Sequence, residues 1–261
     1  MTSKRLAFKG YFSFLAVALL ALTVILQGDR QAAAQDAAGL DPKQTEAMQE
    51  LVREYLLQNP EVIVEALEIY QERQRLAEAE RQHAALLAAQ ESLKNDPASP
   101  VLGNPDGDIT VVEFFDYRCP YCRQVAGALQ ELVAEDPNIR LVMKEYPILS
   151  EESVNAARAA LAAVRQDGYE AFHFALMERG GSMTQAEVTS VARSVGLDVE
   201  QLLRDMRSPE IEAALRRNYA LAESIGVTGT PAMVIGTTLV PGAVDVNRLR
   251  ALVAEARAQA S

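Results

Sequence analysis

"FFDYRCPYCRQ", residues 114–124, holds the only two cysteines in a chain of 261 residues. Upstream, "ITVVEFF", residues 109–115, is β-branched and aromatic, the composition of a buried strand. Asp116, Tyr117 and Arg118 end it. Cys119-Pro120-Tyr121-Cys122 then opens a helix, "RQVAGALQELVAED", and "IRLVMKEYP", residues 139–147, follows as a second strand. The cysteine pair therefore lies between a strand and a helix, inside a βαβ unit. A helix N-terminus presents unpaired N–H groups and a partial positive charge. Both stabilise a thiolate, which is the reactive form. Pro120 suits the first turn, where its missing N–H would have had no partner. Two intervening residues let the sulfurs close a disulfide across one helical turn. The expectation is an exposed Cys119 that attacks or is attacked, and a Cys122 one turn inside that resolves the mixed disulfide.

A disulfide closing so small a loop adds little stability, because the stabilisation grows with loop size. The pair therefore reads as reactive rather than structural. A zinc site wants four ligands, and neither His83 nor His173 stands near in sequence. No metal and no cofactor is expected beyond the redox-active pair itself.

The first 34 residues stand apart. Lys4, Arg5 and Lys9 precede "YFSFLAVALLALTVIL", residues 11–26, and Ala32-Ala33-Ala34 fits a cleavage signal. This reads as a secretory signal peptide. An uncleaved membrane anchor is the alternative, although the apolar run is shorter than the about 20 residues that a span needs. The whole chain carries a formal charge of −11, and removal of the segment leaves 21 basic against 35 acidic residues. A nucleic-acid partner is not expected, because binding phosphates needs a basic surface. Export, expected to the periplasm, places the thiols among oxidants.

Residues 35–95 read as an N-terminal helical stalk. "DPKQTEAMQELVREYLLQ", residues 41–58, has Ala47, Met48, Leu51, Val52, Tyr55 and Leu56 at helical spacing. Asn59-Pro60 interrupts it and starts a second helix expected to run to about Lys94. From Glu72 to His83 the only large apolar residue is Leu76. Such a helix has little with which to build a core of its own. The expected solution is a homo-oligomer through residues 41–95; folding back on the following domain is the alternative. No sustained heptad runs through it, so a regular coiled coil is not expected throughout.

"NDPASPVLGNPDGD", residues 95–108, reads as a linker that is a poor helix or strand. Residues 150–223 read as helices at 151–166, 168–179, 184–195, 198–206 and 209–223, broken at Gly168, Gly180-Gly181, Gly196 and Pro209. His173, in "FHFALM", reads as a packing histidine. "SIGVTGTPAMVIGTTLVPG", residues 224–242, reads as turn, strand, turn, strand, and "VNRLRALVAEARAQ" as a closing helix over the sheet.

"VVEFFDYRCPYC", a helical stretch and "GVTGTPAMVIG" together resemble the DsbA family of periplasmic thiol:disulfide oxidoreductases over about residues 100–258. "YLLQNPEVIVEALEIYQ" is similar to the N-terminal segment of the subgroup typified by ScsC, which includes oligomeric members with isomerase activity. The resemblance implies an α/β, thioredoxin-like domain over 96–258, with an inserted helical domain at about 150–223. It implies Cys119 as nucleophile and Cys122 as resolving thiol, with Pro120 and Tyr121 between them facing substrate. Pro231 matches the family's cis-proline of the substrate groove, with Thr230 before it, which would bring that backbone beside the Cys119 sulfur. Glu113 stands where the family has a buried acid. A carboxylate on a buried strand is costly unless paired, and a raised pKa would let it manage protons at Cys122. The alternative places it at the sheet edge. Lys144, on the next strand, is a candidate partner for Glu113.

Strong DsbA oxidases often carry His where this chain has Tyr121, and Val where it has Thr230. Both departures look more like the isomerase or reductase side. The leading expectation is an exported enzyme exchanging disulfides in unfolded or misfolded proteins, as isomerase or reductase. A monomeric oxidase recharged by a membrane redox partner is the second reading. A Cu(I)-binding or chaperone-like module, using the soft thiolates, is the third.

Overall fold

The structure, a computed structural model, describes residues 41–260. The expected signal peptide, residues 1–34, lies outside the described residues. The chain divides into two units, one ending at Gln74 and one beginning at Arg75.

In the first unit, helix α1 spans Pro42–Gln58. Asp41 caps it: its carboxylate accepts from the Gln44 N–H, and the Gln44 side chain accepts from the Asp41 N–H. Asn59 closes α1, with both its backbone and its side-chain N–H groups donating to the Tyr55 carbonyl. Helix α2, Glu61–Ala88, starts after Pro60. It stops short of the expected Lys94, and a five-residue helix α3 covers Gln90–Lys94.

The second unit is built on a mixed sheet of five strands among the described residues: β1 (Val101–Gly103), β2 (Ile109–Phe115), β3 (Ile139–Glu145), β4 (Ala232–Ile235) and β5 (Thr238–Pro241). Their order is β1-β3-β2-β4-β5. Only β2 and β3 run parallel, joined through helix α4 (Pro120–Glu135), and the other pairs are antiparallel. β1 was not expected, since residues 95–108 read as a linker. Three residues suffice for an edge strand, and prolines are tolerated beside one. The Pro100 carbonyl accepts from the Met143 N–H, and Gly103, at φ +69°, lies where a Cβ would collide with the Ile139 carbonyl.

The helices between β3 and β4 follow the sequence reading to within a few residues: α5 (Glu151–Ala163, extended by a 3-10 turn to Gln166), α6 (Tyr169–Arg179), α7 (Gln185–Ser194), α8 (Val199–Asp205) and α9 (Pro209–Ser224). Ser150, Thr184, Asp198 and Ser208 each accept a backbone N–H at the start of their helix. Helix α10, Val246–Ala260, closes the chain.

Strand alternation gives the sheet two different faces. Val111, Phe115, Leu141 and Met143 lie in the larger core, with α4, α10 and the inserted helices. Val112, Phe114, Val142 and Val234 lie in a second core that also contains Leu86, Ala89 and Leu93. The end of the helical region expected to be stalk to residue 95 is therefore core of the second unit. Its apolar residues have a sheet face to cover, and core packing begins at Leu86. Lys144, fully buried, fastens this layer: its Nζ donates to the Ser92 carbonyl at 2.8 Å and to Ser99 Oγ at 2.7 Å, with Asp96 Oδ2 at 3.8 Å.

Leu93 is completely buried although it sits in a helix of five residues. Leu93→Ala is expected to lower unfolding free energy by about 2–5 kcal/mol, from lost transfer energy and a residual cavity. Urea denaturation of the second unit checks this; an unchanged midpoint would place residues 86–93 outside the core.

Candidate active site

Cys119 is the N-cap of α4, with extended backbone, and Pro120 is its first helical residue. This geometry aims the opening turn of α4 at the end of β2. Tyr121 is 62% exposed, whereas Cys122, one turn in, is completely buried. Both cysteines are free thiols. Cys119 is only 4% exposed, contrary to the exposed thiol expected from the sequence. The backbone of the β4 approach closes over it: Cys119 Sγ donates to the Thr230 carbonyl at 3.3 Å. The Thr230–Pro231 bond is cis, and the Pro231 carbonyl accepts from the Gly242 N–H at 2.9 Å. Cys119, Pro120, Tyr121, Cys122, Thr230 and Pro231 thus come together across 111 residues of sequence. Burial pushes the Cys122 thiol well up, and the Glu113 carboxyl adds to this.

Glu113 is completely buried in the middle of β2, not at a sheet edge. Neither carboxylate oxygen has a hydrogen-bond partner among the described residues. Burial raises its pKa to about 8. Lys144 does not pair with it. In the parallel register Lys144 stands opposite Phe114, and Glu113 opposite Met143. Their side chains therefore point to opposite faces of the sheet, and the lysine is spent on Ser92, Ser99 and Asp96.

Glu145, opposite Phe115, shares the Glu113 face and is also buried. Its Oε1 accepts from the hydroxyls of Tyr117 at 3.0 Å and Tyr169 at 3.2 Å. The Tyr117 hydroxyl also lies 2.9 Å from His173 Nδ1. His173 is therefore more than filler. Burial lowers its pKa to about 3, so it is a neutral ring at physiological pH. Burial holds the Glu145 carboxyl well above the usual carboxylate range, against the two tyrosine hydroxyls.

The sequence reading missed Asp116, Tyr117 and Glu145. By sequence Asp116 reads only as the end of a strand. A signal was present: an Asp two residues before Arg118 can close an Asx turn on that residue's N–H. It does so, with Oδ1 accepting at 2.8 Å. Tyr117 and Glu145 carried no local signal, because their partners are 28 and 56 residues away from Tyr117.

Known proteins share both units. The DSBA-like thioredoxin domain matches residues 110–254, and the N-terminal domain of the copper resistance protein ScsC matches residues 44–77. A solved thioredoxin-like oxidoreductase from Silicibacter pomeroyi DSS-3 is 55% identical, covering 64% of this chain and 96% of that one at a TM-score of 0.63. A linker-deleted variant of Proteus mirabilis ScsC is 30% identical, covering 84% and 98%, at a TM-score of 0.64. The Na(+)/H(+) antiporter NhaA 3 of Salinispora tropica is 28% identical over 194 residues, 71% of this chain. This chain spans 30% of that antiporter's length. A mixed sheet whose β2–α4 junction carries the paired thiols, matched over more than half its length by one domain family, places the chain in the DSBA-like thioredoxin family of thiol–disulfide oxidoreductases.

Proposed function

We propose that this protein exchanges disulfides in exported proteins through Cys119 and Cys122, as an isomerase or reductase rather than a general oxidase. The observation that carries the reading is the arrangement at the start of α4. Cys119 faces the Thr230 carbonyl, the buried Cys122 stands one turn behind, and Glu113 is a buried acid with no hydrogen-bond partner among the described residues.

The Cys119 thiolate attacks one sulfur of a client disulfide. The client S–S bond breaks, and the other client sulfur leaves as a thiolate and takes a proton. Cys122 then loses its proton to the Glu113 carboxylate and attacks Cys119 Sγ. The second client sulfur leaves, the pair becomes a disulfide, and the client has gained two electrons. In isomerisation a client thiolate, rather than Cys122, attacks the mixed disulfide and returns Cys119. Thr230 and Pro231 offer backbone beside the attacked sulfur, and Pro120 and Tyr121 the adjoining surface. The reaction needs no cofactor beyond the Cys119–Cys122 pair.

The isomerase reading draws on the first unit. Among the described residues α1 buries none of its own, and Leu51 and Leu57 are 64% and 66% exposed. Met48, Val52, Ile63, Leu67 and Tyr70 are exposed as well. An apolar helical surface of this extent calls for a partner, and we assign it to a homo-oligomer. The surface available for it in the first unit ends at Tyr70, and farther on Leu86 and Leu93 are core. Several active sites around one client raise the effective concentration of attacking thiol. Export to the periplasm rests on the signal pattern of residues 1–34; among the described residues no helix is long and apolar enough to cross a membrane.

Cys119→Ser is expected to abolish exchange, and Cys122→Ser to accumulate mixed disulfides with clients on non-reducing gels. If Cys119→Ser retained activity, or only copper binding were lost, the Cu(I)-capture reading would replace this one. The chain from residue 35 is expected to sediment as an oligomer and to refold a scrambled multi-disulfide protein. A version starting at Arg75, which keeps Leu86 and Leu93, is expected to be monomeric and to oxidise or reduce peptides without unscrambling. Equal unscrambling by both would remove the isomerase role from the first unit.

Glu113→Gln is expected to slow resolution by Cys122 about 10–100-fold, as loss of a general base does. In the native enzyme that step rises with pH through about 8, where Glu113 ionises. The same group costs stability. Its folded pKa of about 8 exceeds the ordinary value of 4.5, so stability falls as pH rises through that window. Glu113→Gln escapes this fall, and is expected to be more stable at pH 8 by about 2–5 kcal/mol. Thermal melts at pH 4 and pH 8, beside stopped-flow exchange, check both signs.

A further inference from the structure

Asp116 is 1% exposed, in a position between the end of β2 and the turn that delivers Cys119. Two backbone N–H groups hold its carboxylate. Oδ1 accepts from Arg118 at 2.8 Å, and Oδ2 accepts from Leu149, in the loop after β3, at 2.9 Å. The Asp116 backbone in turn touches both cysteines. Its carbonyl accepts from the Cys119 N–H at 3.0 Å, and its N–H lies against the Cys122 sulfur and favours the thiolate there. One residue is thus pinned from two directions by its side chain while its main chain holds the two sulfur-bearing residues.

A shorter requirement would not need an acid. Serine or asparagine can accept the single N–H of an Asx-type turn. Here Arg118 and Leu149 meet different oxygens of one short side chain, an arrangement only a carboxylate offers. An asparagine would present one oxygen and set its amide N–H against one of the two donors. Arg118 has a second tie to the same loop, its guanidinium donating to Ser150 Oγ at 2.8 Å.

We propose that Asp116 is a positioning residue for disulfide exchange, its carboxylate holding the peptide segment that sets Cys119 and Cys122 against each other for resolution of the mixed disulfide. This rests on Cys119 and Cys122 being the attacking and resolving thiols. The two half-reactions differ in what they ask of the turn. First attack needs one sulfur, and the client diffuses to it. Resolution needs Cys122 Sγ, Cys119 Sγ and the departing sulfur in line within one molecule, where a small misplacement is expensive in rate. Loosening the Asp116 segment therefore acts on the second step.

The test uses the full chain with oxidised glutathione. The dithiol first gives Cys119–glutathione mixed disulfide and one glutathione thiol; resolution gives the Cys119–Cys122 disulfide and a second. Acid quenching and mass spectrometry follow both phases. Asp116→Ala is expected to leave the first phase near its native rate and to slow the second by about 10–100-fold, so that the glutathionylated form accumulates. Asp116→Asn, retaining one acceptor, is expected to fall between. Native resolution rates in both variants, or both phases slowed by one common factor, would overturn the proposal. If Asp116→Ala gives no cooperative melt, Asp116→Asn carries the same two outcomes. Cys122→Ser must accumulate the intermediate. If it does not, or if the native chain never reacts, the functional reading has failed and the positioning role falls with it; a working native chain with unaltered Asp116 variants fails the positioning role alone.

Discussion

Alternation along two parallel strands decides which charges meet in this protein. Glu113 and Glu145 point to one side of the sheet, and Lys144, adjacent in sequence to Glu145, points to the other. The lysine is used to fasten Ser92, Ser99 and Asp96 over the far face. The side beneath the cysteines is left with buried acids and no lysine. The three acids differ in the hydrogen bonds that reach them. Asp116 has two backbone donors, Glu145 two tyrosine hydroxyls, and Glu113 none. Burial raises the Glu113 pKa to about 8, and it also holds the Glu145 carboxyl well above the usual carboxylate range in spite of its two tyrosine donors.

A fold selected for stability alone would not bury Glu113 without a partner. The cost is carried by the packing around it. Val111, Phe115, Leu141, Met143 and Met233 surround that face, and α4 and α10 close it. The same packing drives up the Cys122 thiol, and the Glu113 carboxyl adds to this. The two sulfurs have different surroundings: Cys119 stands at the helix start, held against the Thr230 carbonyl, and Cys122 is completely buried.

The helical region before the sheet has two physical characters. Its beginning displays leucines and tyrosines to water, while its end gives Leu86, Ala89 and Leu93 to the second core. The change follows from supply and demand of apolar surface. The far face of the sheet has Val112, Phe114 and Val142 to cover, and the last turns of α2 with α3 do so together with Ala222 and Ile225 of the α9 end. Residues up to Gln74 belong to a unit of their own, in which Leu51, Tyr55, Leu57, Leu67 and Tyr70 remain exposed.

The sequence by itself determined the helices from Glu151 to Ser224 and the place of the cysteine pair at a strand-to-helix junction, because capping residues, glycine breaks and a Cys-Pro-Tyr-Cys turn act over a few residues. Likeness to a known family added the cis-proline and the buried acid. The three-residue β1, the joining of Leu86, Ala89 and Leu93 to the second core, the separation of Glu113 from Lys144 and the tethers of Asp116, Tyr117 and His173 were decided only by tertiary structure. Each of these depends on strand register or on partners tens of residues away, such as Leu149 for Asp116 and Ser99 for Lys144. A linear pattern records which residues alternate; it does not record which strand lies opposite, and that is what sets a buried charge's neighbours.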